Sequence, residues 1–82
     1  MEPKNIRTFA EIAREIKQTW TNMYFGAKPY VDALMTINSS DKSASYMHED
    51  AESLVLYFLA NATTWRGADA RRIKAELKSM IK

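Results

Sequence analysis

Apolar side chains recur along this chain at alternating steps of three and four. Phe9, Ala13, Ile16, Trp20 and Met23 form one such series, and Ile12 widens it. Positions spaced this way share one face of an α-helix, so the series predicts a first helix over residues 9–25. Thr8-Phe9-Ala10-Glu11 has the form of a capping box: the Thr8 hydroxyl accepts from the amide three residues on, and Glu11 reaches back. Gly26 is expected to end the helix by adopting a left-handed conformation.

Pro29 fits the first position of a second helix, where its missing N–H costs nothing. Tyr30, Val31, Leu34 and Ile37 give it an apolar face over residues 29–37, with Asn38 closing it. Nine residues span only about 13 Å, so this short helix depends on packing. Residues 38–45 (NSSDKSAS) show no periodicity and predict a mobile loop. A third helix is expected over 46–62, with Ser45 as cap and Glu49, Asp50 and Glu52 at the positive end of its dipole. Ala51, Leu54, Val55, Phe58, Leu59 and Ala62 cover so much of its circumference that it reads as the central helix. Thr63, Thr64 and Gly67 separate it from a last helix over 68–82, with the seam Ala70, Ile73, Leu77 and Met80, and Ile81 alongside. Leu54 to Leu59 resembles a buried strand by composition alone, but the helical spacing around it argues otherwise.

The expected fold is therefore all-α: one compact bundle of four helices, the second short, occupying residues 1–82 as a single domain. Residues 1–7 are expected to form a flexible N-terminal arm. A length of 82 residues allows one modest core. Apolar residues make up 46% of the chain, enough to build that core, and Gly and Pro number two each, too few for a turn-rich sandwich or barrel. The absence of Cys excludes a disulfide scaffold, a zinc–thiolate site and a cysteine nucleophile. No apolar run approaches the roughly 18 residues of a membrane span, and the first residues do not resemble a signal peptide, so the expected location is the cytoplasm.

Catalytic signals are weak. His48 is the sole histidine, and its neighbours Glu49 and Asp50 point about 100° apart on a helix, which makes no acid/base or metal cluster. There is no glycine-rich phosphate loop and no nucleophile elbow. The expectation is a protein that is not an enzyme, with no cofactor and no metal.

Charge is more informative. The formal net charge is only +2, yet residues 66–82 hold six Lys/Arg against two Asp/Glu, while residues 38–65 hold one against four. On a helical wheel Arg71, Lys74, Lys78 and Lys82 fall within about 80° of one another, with Arg72 a step around and Arg66 just upstream. Such a stripe suits phosphates or an acidic partner. The plainer reading is a solvated stripe whose last lysines complement the helix C-terminus and whose stems cover the seam, and it outweighs the first.

Aromatic residues crowd two junctions: Trp20, Tyr24, Phe25 and Tyr30 at the first, and Trp65, followed by Arg66, at the last. Trp20, Phe25 and Phe58 are expected in the core. Tyr24, Tyr30 and Trp65 divide evenly between core cover and a partner surface. Trp, Tyr and Arg are the residue types that anchor interfaces, so Tyr24, Tyr30, Trp65 and Arg66 are the candidate partner-binding set.

The runs YFGAKPY, LVLYFLANATTWRG and ARRIKAELKSMIK resemble small proteins of bacteriophages and other mobile elements of gut bacteria. That group carries no established activity, so no residue role transfers. The resemblance implies a context in which small helical proteins occupy a host protein or nucleic acid, inside a bacterial cell. The resulting expectation is a non-catalytic interaction module that binds a protein partner. The alternative is a small nucleic-acid-binding protein using Arg71, Arg72, Lys74, Lys78 and Lys82. A homodimer is also open, because so short a bundle leaves apolar edges.

Overall fold

A computed structural model describes residues 6–82 of the chain. Four helices form where the periodicity requires them: α1 (Phe9–Thr19), α2 (Lys28–Leu34), α3 (Ala51–Ala60) and α4 (Ala68–Met80). A two-residue strand pair, β1 (Ser45–Tyr46) and β2 (Glu49–Asp50), precedes α3. The all-α bundle is therefore the architecture. Each helix touches two others: α1 and α3 each pack against both α2 and α4.

The start of α1 follows its capping box. Glu11 N–H donates to the Thr8 hydroxyl at 3.1 Å, and Thr8 N–H donates to the Glu11 carboxylate at 2.8 Å. The next two amides also find acceptors, Phe9 N–H on the Ser39 carbonyl at 2.9 Å and Ala10 N–H on that of Ile37 at 3.0 Å. The helix ends at Thr19, five or six residues earlier than the spacing predicts. Thr19 bonds back to the Glu15 carbonyl, and Thr21 and Asn22 are weak helix formers, so the chain turns once the Trp20 indole is seated. Gly26 is not left-handed; the one glycine with positive φ is Gly67, at 112°. Gly26 is needed for room: a Cβ there would stand 2.5 Å from the Tyr24 ring and 3.1 Å from the Asn61 side-chain oxygen.

Pro29 is the second rather than the first residue of α2, which ends at Leu34 and not at the expected 37 because Thr36 and Ile37 N–H turn back to the Ala33 and Leu34 carbonyls; Val31, Ala33 and Leu34 are buried. The expected start of the third helix at 46 is corrected to Ala51. Residues 45–50 instead form the antiparallel pair, Ser45 opposite Asp50 and Tyr46 opposite Glu49, around a turn in which Met47 takes φ 59°. Asp50 rather than Ser45 caps α3, accepting from Ser53 N–H at 2.9 Å; that bond holds the Asp50 carboxyl below its ordinary pKa. The amides of Ala51 and Glu52 donate to the carbonyls of Ala44 and Lys42. Segment 37–44 thus accepts hydrogen bonds from the first turns of two helices.

The core is continuous across all four helices, from Phe9, Ile12 and Ile16 through Val31 and Leu34 to Val55, Phe58, Ile73 and Leu77. Among the described residues no polar or charged side chain is buried. The reading of α3 as the central helix does not hold. Its inward face is fully covered, but Leu56 and Tyr57 face solvent.

An ionic clasp closes the bundle along α1 and α4. Arg7 makes a two-pronged contact with Glu76 on α4 and a 2.6 Å bond to Glu15 on α1. Arg72 approaches Glu15 from the other side at 2.7 Å and reaches Asp69 at 3.1 Å. Residues 1–5 of the expected arm lie outside the described residues; Arg7 is held by this clasp. Hydrogen bonds from Arg72 and Arg7 lower the pKa of the Glu15 carboxyl. A second pair, Lys17 to Asp32 at 2.6 Å, links α1 to α2.

Because the folded-state pKa of Glu15 is depressed, its stabilisation is complete above the ordinary carboxylate value of about 4.3 and fades as pH falls through the lower folded value. Glu15→Gln should therefore lower the unfolding free energy near neutrality by about 1 kcal/mol for a partly exposed bidentate network, seen as a lower urea midpoint. The two midpoints should converge as the solution is acidified; a gap that persists unchanged into acid would show that Glu15 acts otherwise.

Candidate functional site

Three rings form the rigid corner of the molecule. Trp20, at the end of α1, stacks on Trp65 from the α3–α4 connection, with centroids 5.2 Å apart and planes at 8°. Phe58 of α3 presents its edge to both, at 6.3 Å from each. Trp65 is 5% exposed, which assigns it to the core, as the spacing also did for Trp20 and Phe58. Lys74 fastens the same corner. Its ammonium donates to the carbonyls of Ala62 at 2.7 Å and Trp65 at 2.8 Å, and lies 6.0 Å from the Trp65 ring centroid. Burial lowers its pKa first, and the positive charges of Lys78 and Arg66 lower it further.

The expected cationic stripe is accordingly divided. Lys74 serves backbone carbonyls at the corner, and Arg72 serves Glu15 and Asp69. Arg66, Arg71, Lys78 and Lys82 are exposed and enter no ion pair among the described residues. The Lys82 backbone carbonyl accepts from Lys42 at 2.9 Å.

A different surface collects the aromatics. Phe25, expected in the core, is 79% exposed, because α1 ends before it and the turn at 24–27 carries it outward. Its ring lies 5.1 Å from that of Tyr24, itself 45% exposed. Tyr24 borders Gly26, whose open side meets Asn61. The Asn61 side chain donates to the Tyr57 carbonyl, and the Tyr57 ring rests 5.5 Å from Tyr30, which is half-buried. Phe25, Tyr24, Asn61, Tyr57 and Tyr30 therefore form one continuous band from the α1–α2 turn onto the outer face of α3, and Leu56 is exposed beside it. Tyr57 and Leu56 were missing from the candidate set. The signal lay in α3 itself, since steps of 100° from Phe58 place both away from the buried arc. Apolar residues on every side of a helix call for cover on every side.

Among the described residues no group of three or more His, Cys, Asp or Glu side chains could hold a metal ion. His48 is exposed in the turn between β1 and β2. No described helix is long and apolar enough to cross a membrane. No protein-family model, curated protein or solved structure matches this chain.

Truncating Trp65 to Ala should cost about 3–5 kcal/mol, a large part of what so small a domain has. Lys74→Met should cost about 1–3 kcal/mol by removing the donor to the Trp65 carbonyl and leaving the Ala62 carbonyl only the Trp65 N–H, whereas Lys78→Met should stay within about 0.5 kcal/mol. Thermal melts of the three variants, read by circular dichroism, check this ordering.

Proposed function

We propose that this protein is a non-catalytic interaction module that binds a protein partner through the band formed by Tyr24, Phe25, Tyr30 and Tyr57. The exposure of Phe25 carries the reading. A phenylalanine held 79% in solvent on a turn closed by hydrogen bonds, and packed against a second exposed ring, leaves apolar area that association would cover. Tyr24, Tyr30 and Tyr57 add rings with polar tips, suited to an interface that is wet in the free protein and dry in the complex. Trp65 contributes from beneath, by fixing the corner at which α3 ends. A bacterial cytoplasm is the setting we favour, in keeping with the absence of Cys and with the resemblance to phage and mobile-element proteins.

A second reading has a specific observation in its favour. Arg71, Lys78 and Lys82 stay exposed on the last helix, so phosphate contacts there remain open. Replacing Lys78 and Arg71 with Glu would abolish a low-salt gel shift if nucleic acid were the ligand.

The protein-binding reading predicts that Phe25→Ser combined with Tyr57→Ser reduces partner capture from host lysate at least tenfold. The melt should move little, since exposed positions usually change stability by no more than about 0.5 kcal/mol each. Sedimentation of the wild type at two concentrations identifies the case in which the partner is a second copy. Undiminished capture by the double variant, with no change in self-association, would remove the aromatic band as the interface.

A further inference from the structure

A cleft of about 390 Å³ opens beside the stacked tryptophans, between the end of α1 (Thr19 to Asn22) and the α3–α4 connection (Thr64 to Arg66). Its lining is unusual in charge. Arg66, three threonines, Asn22 and the two tryptophans line it, with no Asp or Glu among them. Neither indole N–H donates a hydrogen bond among the described residues.

Among the described residues the positive charge around the cleft has no acidic partner. Arg66 forms no ion pair among the described residues, and Lys74, just behind Trp65, bonds to carbonyls rather than to an acid. The two carboxylates of α4 are engaged elsewhere, Asp69 by Arg72 and Glu76 by Arg7. Burial chiefly lowers the Lys74 pKa, and the like charges of Lys78 and then Arg66 add to it. An anion seated there would relieve that repulsion. A guanidinium presents parallel N–H donors that match the two oxygens of a carboxylate or phosphate, and hydroxyl and indole donors complete the shell. The rings hold the walls in place, so little ordering would accompany binding.

We propose that this cleft is a binding site for a small oxyanion, a phosphate or carboxylate group, with Arg66 as its charged contact. The site is separate from the aromatic band and stands whether or not that band binds a partner.

The chain has two tryptophans and both line the cleft, so their emission reports its occupancy. Sodium phosphate and sodium succinate would be titrated separately at constant ionic strength, balanced with sodium chloride, into wild type, Arg66→Gln and Arg14→Gln, the last an exposed position of α1 that does not line the cleft. The expected result is a saturable emission change in wild type with at least one of the two anions. Its midpoint should rise at least tenfold in Arg66→Gln and stay unchanged in Arg14→Gln. Response to phosphate alone identifies a phosphate-bearing ligand, and response to succinate alone a carboxylate one. A linear, unsaturated change with both anions, or equal losses in the two variants, would overturn the site. The two indole N–H resonances of wild type provide a second reading that needs no variant. They should shift with the same midpoint as the emission, and stationary resonances would equally overturn the proposal.

Discussion

The fold rests on a problem of unpaired amides. Each helix begins with N–H groups that have no partner within it, and helices of seven to thirteen residues cannot persist in water on their own. Side-chain caps at Thr8 and Asp50 satisfy part of the demand at α1 and α3. Backbone carbonyls of one segment, residues 37–44, supply more, to Phe9 and Ala10 on one side and to Ala51 and Glu52 on the other. Helices α1 and α3 are thereby tied to a common piece of chain. Their order is coupled before any side chain in the core is counted.

Apolar burial then acts on helices already placed. The described core excludes every polar side chain, and the ionic contacts lie at its edge, where partial exposure spares them the full cost of desolvation. Arg7 bridges α1 and α4 from outside the first helix, while Lys74 reaches the end of α3 from the middle of α4. In both cases a long basic side chain links elements that share little direct packing. The basic surplus of the C-terminal segment is partly structural for this reason, and only part of it faces outward.

Much of the bundle was legible from spacing alone. The seams of α1 and α4, the capping box at Thr8 and the role of Pro29 follow from periodicity and local chemistry, which act within a few residues. Part of what the local pattern misses depends on contacts distant along the chain. Phe25 was placed in the core because its helix was carried past Thr19; Trp20 turns inward to meet Trp65, forty-five positions on, and that partner is invisible to local pattern. Residues 46–50 look helical by composition but pair as strands, with Asp50 taking the capping position. The aromatic band was half legible. Tyr24 and Tyr30 stood out by residue type, whereas Tyr57 and Leu56 were hidden inside an apolar run that the buried face of α3 seemed to explain.

Gly26 gives the band a particular vulnerability. Alanine at a glycine position often stabilises a protein by narrowing its unfolded ensemble, and the backbone here would tolerate the change. The added methyl would instead push against the free end of the Tyr24 ring, a side chain able to swing aside without disturbing the bundle. One carbon atom would thus redraw the outline of this surface while the melting curve stayed silent, so shape and stability separate at this position.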